Sequence, residues 1–209
     1  MDERDDDLIP TRATLILRLK DWQDQASWQE FFDTYWQLIF KFAIKRGLTP
    51  DEARDVVQET MIAVARNMPA FKYDARLGSF KTWLLNMTSW RVTDQFRQRQ
   101  LADHPDKRAA DKFPEDDHPS PPAEHVPPEL EKLWDDEWEK NLLATAIAKA
   151  RRRLDPKQYQ IYDFYVNKEW PAERVAQAFA IPVSLVYLAK HRVTELIKAE
   201  AERLKKDII

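Results

Sequence analysis

Apolar residues recur at helical spacing through the first half of the chain. Between residues 28 and 42 they are Trp28, Phe31, Phe32, Tyr35, Leu38, Ile39 and Phe42. Steps of three and four residues predict an amphipathic helix. Ser27 and Glu30 have the S-x-x-E spacing of a capping box at its start, and Gly47 fits the left-handed residue that follows a helix end.

Two further helices are predicted downstream, and a short one over residues 11–20 upstream. Thr49-Pro50-Asp51-Glu52 combines a capping box with proline in the first turn, so a helix should begin there, run to about Asn67 and stop before Pro69. One side of it is apolar, at Ala53, Val57, Met61, Val64 and Met68. In the next helix the residues at buried spacing are Phe80, Trp83, Leu84 and Met87, so Trp83 is expected in the core.

The pattern stops in residues 101–129, which are rich in Pro, Asp, Glu and His. Such a segment has little to bury and is predicted to be a flexible acidic linker. It separates a domain at residues 11–100, preceded by an acidic tail at 1–10, from a second domain at 130–209.

Sequence signals for helix starts appear again after the linker. A helix is predicted over about 130–153, and Asp155-Pro156, Pro171 and Pro182 mark the starts of three more. Ala176, Ala180 and Val186 have the spacing of a helix-turn-helix, in which the first is small, the second lies in the turn and the third packs inward. Alanine at a turn position with positive φ should cost about 1 kcal/mol relative to glycine.

Composition narrows the fold and function classes. Apolar residues make up 44% and charged residues 33%, with only two glycines and no cysteine. The fold class is therefore predicted to be all-α, with two helical domains. Glycine-rich phosphate loops, thiolate metal sites and cysteine nucleophiles are excluded. No nucleophile–base constellation is visible, so we expect no enzyme, cofactor or metal. No apolar run approaches the roughly 18 residues of a membrane span, and we expect a cytoplasmic location without membrane insertion.

Charge is unevenly distributed. Residues 101–140 carry 5 Lys or Arg and 13 Asp or Glu, whereas residues 141–209 carry 13 and 8. The acidic middle conceals a basic C-terminal part, so a formal net charge of −3 does not argue against a nucleic-acid partner.

The polar side of the helix ARDVVQETMIAVARN has two interpretations. It carries Asp55, Gln58, Glu59 and Arg66, together with an apolar residue, Ile62. An acidic face with an exposed isoleucine suits docking onto a basic protein surface. The alternative is a solvated face with one stray apolar residue.

Two other regions combine aromatic and basic residues. The stretch before the Phe80 helix contains Lys72, Tyr73 and Arg76, which could hold an unstacked base and its phosphate. The second helix of the helix-turn-helix has five outward candidates for DNA contact: Ser184, Tyr187, Lys190, His191 and Arg192. Such residues can bind phosphates or base edges. A plain helical hairpin remains the alternative there. Arg97 and Arg99, near the end of the Phe80 helix, could also contact DNA, and the alternative is that they only stabilise the negative end of the helix dipole.

The order of these pieces resembles the sigma-70 family of bacterial transcription initiation factors, and within it the small extracytoplasmic-function (ECF) group. Three segments carry the resemblance: DEARDVVQETMIAVARN, FKYDARLGSFKTWLLNMTSWRVTDQFRQ and ERVAQAFAIPVSLVYLAKHRV. Residues 11–100 look like the region 2 helical domain and 135–204 like the region 4 helix-turn-helix domain. Trp90 stands where many relatives carry asparagine, and Ala180 replaces the turn glycine.

The resemblance implies a role for each group of residues. Asp55, Gln58, Glu59 and Ile62 would bind the clamp helices of the largest subunit of core RNA polymerase. The minus-ten promoter element would be contacted by Lys72, Tyr73, Arg76, Ser79, Arg91 and Arg97. The minus-thirty-five element would be read by Ser184, Tyr187, Lys190, His191 and Arg192.

The function implied is that of a non-enzymatic sigma factor which binds core polymerase, including its flap, and directs initiation at specific promoters. An anti-sigma factor or another regulator would be a further partner. The alternative is a free-standing helix-turn-helix regulator that binds duplex DNA without polymerase.

Overall fold

The computed structural model describes residues 12–71, 80–103 and 126–206, and these residues form helices with no strand among them. The α-helices in chain order are α1 Arg12–Arg18, α2 Gln25–Lys45, α3 Pro50–Asn67, α4 Phe80–Asp103, α5 Pro128–Arg153, α6 Pro156–Tyr162, α7 Ala172–Phe179 and α8 Val183–Lys206. A 3₁₀ turn, Met68–Ala70, follows α3, and a π-helical turn, Asp163–Asn167, follows α6. The all-α prediction is confirmed.

The helix starts follow local sequence chemistry, with one correction. At α3 the Thr49 side chain accepts from the Glu52 N–H while the Glu52 carboxylate accepts from the Thr49 N–H, so the predicted capping box is confirmed. The box predicted at Ser27 and Glu30 is wrong, because Asp24 caps α2 instead. Its carboxylate accepts from the N–H of Ser27 at 3.0 Å, which puts Ser27 inside the helix.

The end of α2 forms as its sequence indicates. Gly47 has a φ of 95°, in the region that favours glycine. The N–H of Leu48 donates to the carbonyl of Ala43 at 3.2 Å, and that of Gly47 donates to Ile44 at 2.9 Å. These two bonds make a Schellman motif, which satisfies the last carbonyls of α2 and lets the chain reverse into α3.

The chain divides into two compact units between Asn141 and Leu142. Unit 1 comprises the described residues up to Asn141, and unit 2 comprises Leu142–Lys206. The division falls inside α5, so the first half of that helix, residues 128–141, belongs to unit 1. The sequence predicted a linker at residues 101–129 and a second domain starting at residue 130. The functions of the two domains stay predictions.

Unit 1 has a core built from α2, α3 and α4. The largest buried side chains include Phe31, Phe42 and Phe80. Of the buried face predicted for α4, Phe80, Leu84 and Met87 are buried as expected. Trp83 is only half-buried, with its ring centroid 4.8 Å from that of Phe71 and 5.5 Å from that of Phe80. It therefore covers the edge of the core rather than filling it.

The first half of α5 inserts two tryptophans into unit 1. Trp134 is fully buried, with its ring 5.1 Å from Phe42 of α2 in an edge-to-face arrangement. Trp138 is buried 5.6 Å from the ring of Tyr35. Buried aromatic pairs of this kind contribute large apolar areas, so residues 128–141 are an integral layer of unit 1.

Lysines of unit 1 hold the same stretch of α5 through ion pairs. The Nζ of Lys45 lies 2.5 Å from a carboxylate oxygen of Glu137, which is buried. The Nζ of Lys81 lies 2.7 Å from Asp135. Because α4 ends at Asp103 and α5 starts at Pro128, both ends of the predicted linker are attached to unit 1. Residues 104–125 of the linker lie outside the described residues.

Unit 2 contains the predicted helix-turn-helix, formed by α7 and α8. Ala176 and Val186 are buried where the two helices pack together. Ala180 lies in the turn, as predicted, and adopts the left-handed conformation, with φ 51° and ψ 53°. Asp155 caps α6, accepting from the N–H groups of Lys157 and Gln158, as its sequence indicates.

Candidate nucleic-acid and protein interfaces

The outer face of α3 carries the first candidate site. Asp55 and Gln58 are exposed and Glu59 is half-buried. Ile62 is 44% exposed, although the inner face of the same helix buries Val56, Ala63 and their neighbours. The structure therefore brings the four predicted residues together on one face, with an apolar side chain at its end. Such a face offers carboxylates, an amide and an apolar contact to a partner.

The second candidate site lies at the start of α4. Lys72, Tyr73, Arg76 and Ser79 fall outside the described residues, so their predicted contacts with the minus-ten element stay predictions. The flanking residues are well packed: Phe71 is half-buried and Phe80 is buried, with their rings 6.2 Å apart. The residues on either side of this segment, Phe71 and Phe80, thus belong to the aromatic core of unit 1.

The two α4 arginines in the prediction have different surroundings. The guanidinium of Arg91 lies 4.5 Å from the ring centroid of Trp90, which is partly exposed. The guanidinium of Arg97 forms an ion pair with Asp94 at 2.6 Å. Part of the charge of Arg97 is thus compensated within the helix, whereas Arg91 and Trp90 present a cation and an aromatic ring side by side. That pairing resembles surfaces on which unstacked bases rest.

Arg99 has a structural role in unit 1. Its Nε donates to a carboxylate oxygen of Glu52 at 2.9 Å. This hydrogen bond, followed by those from Thr49, lowers the pKa of Glu52 to about 2. The capping carboxylate of α3 is therefore ionised over the whole physiological pH range. Arg99 forms an ion pair with it.

The third candidate site is the exposed surface of α8. All five predicted residues, Ser184, Tyr187, Lys190, His191 and Arg192, are exposed. The Tyr187 ring packs edge-on against Tyr165 at 5.8 Å, and the Nζ of Lys190 lies 5.7 Å from the same ring. Tyr165 therefore supports one flank of this surface and restricts the orientations of both side chains.

Sequence reasoning missed one residue on this surface. Leu188 is 39% exposed and lies four residues after Ser184 and three before His191, so the three share one helical face. The buried side of α8 in this region is formed by Val186, Ala189 and Val193 instead. The same helical spacing would have revealed Leu188, had apolar residues been included among the candidates.

Within the described residues, no cluster of three or more His, Cys, Asp or Glu side chains could hold a metal ion. Over the same part of the chain, every helix is too short or too polar to cross a membrane.

Comparison with known families identifies part of unit 1. Residues 31–101 match the family model "Sigma-70 region 2", a stretch that holds most of α2 with all of α3 and nearly all of α4. No curated protein matches the chain. These helices are therefore similar to region 2 of the sigma-70 family. Unit 2 lies beyond the matched residues.

Proposed function

We propose that the chain is an RNA polymerase sigma factor of the ECF type, acting in the cytoplasm. Unit 1 binds core polymerase and opens the minus-ten element, and unit 2 reads the minus-thirty-five element. The observation that carries the proposal is the region 2 match together with the exposed face of α3, which lies inside the matched residues.

The polymerase contact is assigned to the α3 face. Asp55, Gln58, Glu59 and Ile62 dock on the clamp helices of the largest subunit, as the family resemblance implies. The exposure of Ile62 supports this assignment, because an apolar side chain at the edge of an acidic face gains from burial against a partner. The flap is the second expected contact, and an anti-sigma factor is a further candidate partner.

The promoter contacts are assigned to two surfaces. Lys72, Tyr73, Arg76 and Ser79 take an unstacked base of the minus-ten element, with Arg91 and Arg97 beside the promoter strands. Flipping a base costs a few kcal/mol, which contacts in a pocket must offset. Ser184, Tyr187, Lys190, His191 and Arg192 contact the upstream duplex. The exposure of all five on α8 and the basic charge of residues 141–209 support this assignment.

The test is binding of the fluorescently labelled full chain to core RNA polymerase of its own host, without DNA, followed by anisotropy. We expect saturable submicromolar binding. Asp55→Arg should weaken it at least tenfold, because it puts a positive charge against a basic partner surface. The matched control is Asp33→Arg, which reverses another exposed aspartate, on α2 of the same unit.

Unchanged affinity of the Asp55→Arg variant, with wild-type circular dichroism, would remove the polymerase contact from this face. Absence of binding by the wild type, with tight binding to duplex DNA alone, would favour the free-standing regulator instead.

A further inference from the structure

The first two turns of α8 expose an unusual amount of apolar surface for a helix expected to meet DNA. Leu185, Tyr187 and Leu188 are all partly exposed large hydrophobic residues within four consecutive positions. Leu185 is 43% exposed and faces a shallow groove that also contains Ile161 and Ile181. Exposed apolar residues grouped in this way mark a surface that is covered when the protein works.

Leu188 borders the same groove as Leu185. Leu188 also lies near Ser184 and His191 around the helix, on the side away from the buried Val186. In a helix-turn-helix, the outward line near the start of the second helix faces the floor of the major groove. Leu188 therefore lies between Arg192 and Ser184 around the helix, at the groove edge of the surface that carries the polar candidates.

The charge around Leu188 favours nucleic acid over a protein partner. Residues 183–194 contain Lys190, His191 and Arg192 and no acidic residue. Among the residues that line the groove, the acidic one is Asp155, and its carboxylate is engaged in capping α6. An apolar side chain with the cation of Arg192 one turn away suits a ligand that is anionic at its rim and apolar at one point. Duplex DNA with a thymine in the major groove has this character.

Thymine is the only common base with an apolar group in the major groove, its C5 methyl. We infer that Leu188 contacts a thymine methyl group in the upstream promoter duplex and so makes this position of the element specific for thymine. The inference rests on the proposed function, since it requires that α8 enters the major groove. Ser184 and His191 then face the neighbouring base pairs along the same line.

The experiment uses the full chain assembled with core polymerase. Duplexes are selected from a random library, and the enriched sequence is resynthesised with deoxyuracil replacing thymine one position at a time. This change removes only the methyl group. Binding is measured for the wild type, for Leu188→Ala and for Leu143→Ala. Leu143 is another exposed leucine, on α5 of the same unit, and alanine is favourable at both helical positions.

For the wild type, we expect one thymine-to-uracil replacement in the upstream element to weaken binding roughly fivefold, the value of one buried methyl contact. Leu188→Ala should reduce that ratio to nearly one, while Leu143→Ala should leave it unchanged. Equal binding of thymine and uracil duplexes by the wild type would overturn the inference and leave the proposed function standing.

Two other outcomes also count against the inference. If Leu188→Ala weakens polymerase binding but keeps the thymine preference, Leu188 contacts protein instead. If no sequence is enriched although the chain binds polymerase, the assignment of α8 to promoter reading fails, and the inference fails with it.

Discussion

The guanidinium of Arg99 donates from two of its nitrogens to the carboxylate of Glu52, and so fastens the C-terminal half of α4 to the N-terminus of α3. The same carboxylate accepts from the N–H and hydroxyl of Thr49. One side chain thus completes a helix cap and an ion pair between two helices. The helix that carries the proposed polymerase-binding face is fixed at its start by this arrangement.

The Glu52 contacts make stability depend on pH. Because the folded protein holds the pKa near 2 rather than at the ordinary value of 4.5, this stabilisation is complete above pH 4.5 and is lost as pH falls toward 2. We expect Glu52→Gln to lower the melting temperature at pH 7, and the difference from wild type to shrink below pH 4.5. Thermal melts by circular dichroism across this range check it, with Glu131→Gln, an exposed glutamate, as the control. A constant difference at every pH would contradict the assignment.

The apolar member of the α3 face should matter for affinity but not for folding. Ile62 is 44% exposed, so truncation removes little from the core. We expect Ile62→Ala to weaken core-polymerase binding by about 1–2 kcal/mol, which is the range of a well-buried interface residue. Its melting temperature should equal that of the wild type. Leu17→Ala, at another exposed apolar position of unit 1, should leave the affinity unchanged. Titrations by anisotropy measure both.

The turn of the helix-turn-helix is strained by its alanine. Ala180 has a φ of 51°, where a Cβ is unfavourable and glycine is not. We expect Ala180→Gly to stabilise unit 2 by about 0.5–1 kcal/mol. Ala178→Gly, at an exposed helical position in the last turn of α7, should instead destabilise it. Urea denaturation measures both, and equal effects of the two changes would show that the turn stores no strain.

Trp134 should be essential to the attachment of α5. It is fully buried against Phe42, so Trp134→Ala should cost about 3–5 kcal/mol. The loss should appear as faster amide hydrogen exchange in residues 128–141. Trp22 is exposed on the same unit, and Trp22→Ala is the control that should leave exchange there unaltered. Unchanged protection in the Trp134 variant would mean that the ion pairs alone hold the helix.

The sequence predicted the elements whose signals are local. The Thr49–Glu52 capping box, Gly47 and the Asp155 cap each depend on side chains within a few residues, and all three form as expected. The cap of α2 was assigned wrongly because Asp24 and Ser27 are both good capping residues, and the spacing of Ser27 with Glu30 favoured the wrong one.

Long-range relationships escaped prediction for a physical reason. The ion pair between Arg99 and Glu52 joins residues 47 apart, and periodicity within either helix does not contain it. The attachment of residues 128–141 to unit 1 was missed in the same way. Their helical pattern was correct, but which surface their tryptophans would bury depends on packing. Leu188 was missed because the candidates on α8 were limited to polar, aromatic and basic residues.

Residues 128–141 are connected to the rest of unit 1 in two ways. One is the backbone through residues 104–127, and the other is the packing of α5. Opening the backbone there should therefore not release a fragment. If residues 1–115 and 116–209 are produced as two separate polypeptides in one cell, we expect them to assemble and copurify, since the second piece carries Trp134 and Trp138 into the aromatic core of the first. Replacing both tryptophans by alanine should abolish this complementation. Non-covalent packing of α5 would then be enough to hold the two pieces together without the peptide bond between them.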